Sequence, residues 1–258
     1  MLRDLKKSDW QKILKIPDDR IPSSLILRGT RSLKSHYAQM RDCFSKVLDI
    51  GDSNIVVDDV FLGNLDGETV ACASVYGAPM ASEITHLFGV LGTRFVLQIG
   101  CCGALSETLL PGDLCSVTSA YRGEGASQYY KTDGKEIVAS LGFADQVKLG
   151  NGESVPVCSG RIYTTSALFA ESREDVHRWH TQGFLAVDME TAATFAVAEY
   201  FGMDRASLLY VYDCPRQGEH ILLGDEDTNR RRLLGNERMI EIALMTVRNF
   251  SEQSNKSK

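Results

Sequence analysis

The chain has 258 residues, 43% of them apolar and 24% charged, enough apolar material for one large α/β core. Its net charge of −6 argues against a nucleic-acid partner, because such a surface repels polyphosphate. No apolar run reaches the about 20 residues that span a bilayer, and the opening MLRDLKKSDWQKILKI lacks a signal peptide's apolar stretch and cleavage site. A cytoplasmic protein with no membrane partner is expected. Seven cysteines without a CxxC pair fit free thiols in a reducing compartment.

In chain order, residues 4–15 read as a short helix and Ser32–Leu48 as a longer one. Ile55–Leu62 and Glu68–Val75 read as strands joined near Asp66-Gly67, a common hairpin pair. Ala81–Leu91 is helical, and the apolar run Arg94–Ile99 is a buried strand leading into a Gly100-Cys101-Cys102-Gly103 loop. Leu114–Ala120 is a strand, Gly134–Leu149 carries a helical pattern, and Val155–Thr165 returns to strand. Ser172–Gln182 is a polar helix, Phe184–Asp188 is extended, and Glu190–Phe201 is an Ala-rich helix. Ser207–Tyr212 is β-prone, and Asn229–Phe250 closes the chain as an amphipathic helix before the polar, disordered tail 251–258. Strands alternating with helices predict one domain over residues 1–258, with a mixed, largely parallel sheet covered on both faces. Ligands of such sheets sit at the carboxyl ends of strands. The loops after Ile99, Asp188 and Tyr212 are therefore the places to search.

Glycines in Gly100–Gly103 allow close backbone approach to a ligand, although a tight turn alone needs them too. The cysteines there read as small buried residues rather than nucleophiles. In Val187-Asp188-Met189-Glu190-Thr191, a carboxylate at a strand–helix junction can accept hydrogen bonds from two vicinal hydroxyls, while helix capping alone would also place an acid there. Asp213, after an apolar strand, is a turn former or a general acid toward a leaving base. Arg122–Tyr130, with two glycines and two tyrosines, suits a loop lining a flat ligand. His177 and His180 lack further metal-ligand partners at useful spacing, so no metal is expected. Arg230-Arg231-Arg232 reads as a solvated helix face, and His220 falls in a loop placed to act as a lid.

In order, VLQIGCCGAL, PGDL, RGEGASQYY, IYTTSALF, AVDMETAA and VYD resemble the nucleoside phosphorylase-I family, which includes purine nucleoside phosphorylases, uridine phosphorylases and methylthioadenosine nucleosidases. The likeness runs from about Ile26 to the closing helix. It implies a three-layer α/β/α fold with a mixed, distorted central sheet, and a homodimer or a trimer-of-dimers hexamer. It implies an enzyme that cleaves the N-glycosidic bond of a nucleoside, with phosphate as co-substrate and no other cofactor. Met189 and Glu190 would hold the ribose, and Asp213 would stabilise or protonate the departing base. Phe169, Cys102 and Gly103 would meet that base. Gly29, Arg31, Gln98 and Cys101 would form the phosphate or nucleophile pocket.

The sequence departs from the family at that pocket. Phosphorylases of this type carry Gly-Asp-Pro-x-Arg where this chain has Gly29-Thr30-Arg31-Ser32-Leu33. Their Arg before the central Gly is Gln98 here, their Ser or Thr after it is Cys101, and Val56–Asp58 offers no Arg of the kind donated across a dimer. The nucleosidases' Glu has no counterpart between Ile26 and Ser35. Hydrolysis, or nucleoside binding without catalysis, thus stand as alternatives to phosphorolysis. Ser172 and Glu174 occupy the places where uridine phosphorylases put a Gln and an Arg, which favours a purine-like base.

Overall fold

The computed structural model describes residues 1–52, 57–218 and 220–256, with side chains described through Glu252. The strands are β1 Ser24–Gly29, β2 Ser45–Asp49, β3 Val60–Leu65, β4 Glu68–Val75, β5 Phe95–Ala104, β6 Leu114–Arg122, β7 Glu136–Val138, β8 Gln146–Lys148, β9 Ser154–Thr164, β10 Ala186–Asp188 and β11 Asp204–Asp213. The α-helices are α1 Lys7–Leu14, α2 Leu33–Arg41, α3 Gly77–Leu91, α4 Arg173–Thr181, α5 Thr191–Tyr200 and α6 Glu226–Lys256.

All six residues of β1 are buried, as expected for a strand covered on both faces. Side chains alternate across the sheet. Ile26, Leu97, Ile99 and Leu208 pack with Met239, Ala243 and Val247 of α6. Leu25, Leu27 and Val96 point the other way, onto Leu14 of α1 and Ala81 and Phe88 of α3. Each such side chain contributes about 1.5–3 kcal/mol by leaving water, so β1 and β5 are firmly seated between two helical layers. The expected three-layer α/β/α architecture is present.

The strand order is β10-β9-β6-β11-β5-β1-β4-β3-β2, with β7 on β6 and β8 on β9. β5 runs parallel to β1 and β11, β6 parallel to β9, and β9 parallel to β10, whereas β6 meets β11 antiparallel. β10 also pairs antiparallel with β5, Ala186 opposite Ala104 and Val187 opposite Gly103. The run β5-β11-β6-β9-β10 therefore closes on itself. This closure distorts the sheet, and it folds Asp188 and the residues after it back over the end of β5.

Several elements differ from the sequence reading. The helix expected over Ser32–Leu48 stops at Arg41, and Ser45–Asp49 pairs with β3 instead. Phe44 ends that helix by packing edge-on to Phe61, over Gly63, where an added Cβ would lie 2.6 Å from the Phe44 Cβ. The first strand of the hairpin begins at Val60; residues 55–56 of the expected strand lie outside those described. Its turn is as expected, with Asp66 and Gly67 at φ 51° and 96°. Gly134–Leu149 forms no helix: Ile137 is buried where β7 pairs with β6, and β8 pairs with β9, so tertiary pairing overrides local periodicity. α3 begins earlier than expected, at Gly77, with Pro79 in its first turn. The closing helix runs past Phe250 to Lys256 and buries Ser251, where a disordered tail was expected; residues 257–258 lie outside those described. Among the described residues no helix is long and apolar enough to cross a membrane.

Candidate active site

A cavity of about 660 Å³ opens where the carboxyl ends of β1, β5, β10 and β11 meet. β1 contributes Gly29 with Thr30 and Arg31 beyond it, β5 contributes Cys101, Cys102 and Gly103, the β10–α5 junction Met189 and Glu190, and β11 Asp213. Phe169 completes the wall. Of the residues that the family resemblance assigns to the ribose, base and phosphate or nucleophile pockets, Gln98 alone stays outside. It is fully buried behind β5, where its carbonyl accepts from the Thr194 hydroxyl at 2.9 Å and its amide donates to the Ile99 carbonyl at 3.0 Å. Strand alternation turns Gln98 toward α5 and Cys101 toward the cavity, so the two cannot serve one pocket from a loop. Indeed Gly100–Gly103 is not a loop, because β5 continues to Ala104.

Asp188 and Glu190 divide the work of the junction. Asp188 is 4% exposed and accepts from the Thr164 hydroxyl (2.6 Å), the Thr191 hydroxyl (2.5 Å), and the backbone N–H groups of Thr191 (2.8 Å) and Glu190 (3.3 Å). It caps α5, and Glu190 is free to face the cavity. Glu190 accepts from the backbone N–H of Gly77 at 2.7 Å, the first residue of α3, so a helix N-terminus points at its carboxylate. Burial, and next the Asp188 charge, push its pKa up to about 8. With four donors fixed on Asp188, the negative charge belongs there, and Glu190 is the member of the pair that holds a proton.

Gly29 makes this placement possible. A Cβ there would lie 2.6 Å from Glu190 Oε2 and 3.1 Å from the Gln98 amide nitrogen. Overpacking of this kind costs about 1–3 kcal/mol, and here the nearest group to yield is the Glu190 carboxylate. A Gly29→Ala chain is therefore expected to raise KM about tenfold by steady-state kinetics. An unchanged KM would mean that Glu190 does not grip the substrate.

At the opposite wall, the register of β11 on β5 shifts between Val211 and Asp213, a bulge that sets Asp213 beside Gly103. A Cβ on Gly103 would stand 3.1 Å from Asp213 Oδ1. Arg232 holds the bulge, donating to the Tyr212 carbonyl at 2.6 Å and lying over the Tyr212 ring at 4.2 Å. Only Arg230 and Arg231 form the expected solvated face, both paired with Asp227.

The β1 end of the cavity carries Arg31, whose guanidinium lies 4.8 Å from the Tyr76 ring centroid and 5.3 Å from that of Phe169. Phe169 stands 85% exposed at the mouth. His36 lines the same end, hydrogen-bonded through Nδ1 to Thr30 Oγ1 at 2.6 Å, and burial with the nearby Arg28 charge lowers it to about 4, so it is neutral at pH 7. Arg28 lies beneath, 1% exposed, with one nitrogen donating to Asn236 Oδ1. Burial pushes the Cys101 thiol up to about 12, and the charges of Glu190 and Asp213 add to this, so the group is a neutral thiol and not a nucleophile.

One further expectation changed, and two other segments take definite places. The Arg122–Tyr130 segment does not reach the cavity: Arg122 donates to the carbonyls of Lys131, Asp133 and Gly134, and Glu124 accepts from Ser127 N–H, which ties the loop to itself. His177 lies against Arg216, and His180 against the Leu105 carbonyl. His220 does line the cavity, although Glu219 of the expected lid lies outside the described residues. Sequence reasoning missed Gly77, which the Gly77-Ala78-Pro79 helix start could have signalled, and also Glu171 and His36, which no motif marks.

A closed ring of strands with a polar-ended cavity at its seam is the kind of place where α/β proteins hold small ligands. The chain belongs to the phosphorylase superfamily, whose sequence model matches residues 48–244, and it is an enzyme of the pentosyltransferase class. It is 28% identical over 194 residues to the DeoD-type purine nucleoside phosphorylase of Geobacillus sp. (strain WCH70), covering 72% of this chain and 78% of that one. It is 28% identical over 172 residues to the guanosine phosphorylase of Halorubrum lacusprofundi, covering 62% and 69% of the two chains. Uridine phosphorylase from Vibrio fischeri ES114 shares the fold with a TM-score of 0.75 at 21% identity, covering 92% of this chain and 95% of that one.

Proposed function

We propose that this enzyme cleaves the N-glycosidic bond of a purine-type nucleoside, with phosphate as the attacking co-substrate. The observation that carries the reading is the buried Glu190, fixed by Gly77 and set across the cavity from Asp213. Two vicinal ribose hydroxyls donate to Glu190, which releases its proton to solvent and becomes the carboxylate when they bind. Met189 packs on the sugar. Asp213 stabilises the base as the bond breaks and the sugar turns cation-like. Phe169 closes over the base from the mouth, and the homo-oligomer implied by the family resemblance would cover it. Electrostatic positioning supplies most of the acceleration.

Hydrolysis is the second reading, favoured by one observation. Gln98 faces away from the cavity and Cys101 is a neutral thiol, so Arg31 is the cation that the β1 end offers to phosphate. A nucleoside panel incubated with and without phosphate separates the two. Base release that requires phosphate is expected; equal release without it makes the enzyme a hydrolase. In the same assay Asp213→Asn should lower kcat/KM on a purine nucleoside about 100-fold, the usual share of a positioned acid. Unchanged turnover would remove Asp213 from the chemistry.

A further inference from the structure

Glu171 has no role in the reaction as described so far. It sits just before Ser172, the residue that caps α4, and its side chain lines the cavity together with Asp213. Its Oε1 is buried and has no hydrogen-bond partner among the described residues. Folded proteins rarely leave such an oxygen unpaired, and this one belongs to a residue of the cavity wall. Burial, then the Asp213 charge, then that of Asp175 on α4, raise its pKa to about 7. Arg31, Arg173 and His220 line the same cavity and leave it raised.

Two neighbouring carboxyl groups in a partly dry pocket do not both ionise readily; they hold one proton between them. We infer that Glu171 is a second acid of this site, sharing with Asp213 the proton that the departing base takes. The inference rests on the proposed glycosidic cleavage and deepens it. As the bond from the sugar carbon to the base nitrogen breaks, its electron pair stays with the base. The proton passes from the carboxyl pair to a ring nitrogen, and the base leaves neutral. Phosphate forms the new bond to the sugar carbon. The pair, left fully ionised, regains its proton from solvent.

The test compares the whole enzyme with Glu171→Gln on two substrates. Adenosine needs a proton on its leaving base, whereas the base of 7-methylguanosine already carries a positive charge and leaves without one. The variant should lose about 100-fold in kcat on adenosine, with KM little changed, and stay within about threefold of the parent on 7-methylguanosine. The parent's kcat on adenosine should fall as pH rises through about 7, and this limb should vanish in the variant. Glu171→Asp, which keeps a proton on a shorter stem, should recover part of the adenosine rate; thermal melts check that each chain folds. Equal losses on both substrates would make Glu171 a structural residue and overturn the inference, as would no loss on either. Should the parent release base from neither nucleoside, with or without phosphate, the proposed function itself falls, and this inference with it.

Discussion

A Glu190→Gln enzyme is expected to lose about 1000-fold in kcat/KM while gaining thermal stability at alkaline pH. The loss follows from the proposed contact. Two sugar hydroxyls donating to a carboxylate make charge-assisted bonds of about 1.5–3 kcal/mol each, and a neutral amide keeps only part of that. The gain follows from burial. Glu190 is 7% exposed, and its pKa in the folded chain stands near 8, above the ordinary 4.5. Between those values the folded chain holds a proton that the unfolded chain has released. The stability contributed by this group is therefore complete below about pH 4.5 and is lost as pH rises through about 8. Glutamine cannot ionise, and its amide oxygen can still accept from Gly77. Melting curves at pH 5 and pH 9 should nearly coincide with the parent's at the lower pH and lie above them at the higher. A variant that loses activity with no rise in melting temperature at pH 9 would show that the site does not hold Glu190 protonated.

The opposite outcome is expected two residues earlier. Asp188→Ala removes the acceptor for four donors at the start of α5 and strands two hydroxyls and two backbone N–H groups in the core. Deleting one side of such a network costs about 3–5 kcal/mol, which for a chain of this size lowers the melting temperature by about 8–16 °C. Asp188→Asn should cost clearly less, since its oxygen can still serve the Thr191 and Glu190 N–H groups. The check is calorimetric; a loss in Asp188→Ala of less than about 1 kcal/mol would mean that water or Thr164 replaces the carboxylate.

Most of this site was legible because short motifs kept their residues on the strand ends that the fold brings together. Met189-Glu190 and Asp213 are such cases: an acid directly after an apolar strand reads the same way in sequence and in space. Gln98 was misplaced because residue type was matched to a pocket without the two-residue alternation that sends it to the other face of β5. Glu171 was passed over because it belongs to no pattern. Its meaning comes from Asp213, more than 40 positions away, and from burial that only packing creates. The error over Gly134–Leu149 has the same origin, since β7 and β8 owe their form to partners elsewhere. The Ser32–Leu48 helix failed for the same kind of reason, the packing of Phe44 onto Phe61 and Gly63 of β3.

The place of β11 in the sheet bears on how the chain is made. β5 and β6 follow one another in sequence, yet β11 stands between them, paired to both. A chain emerging from its N-terminus must therefore hold a slot open between β5 and β6 for some eighty residues of synthesis, with both strand edges unsatisfied. Asp213 is the last residue of the strand that fills that slot, so the sheet's closure and the site's second wall arrive in one event. A nascent or truncated chain ending before Asp204 carries the Glu190 side of the site without Asp213, and two open edges for a chaperone, or another copy, to find.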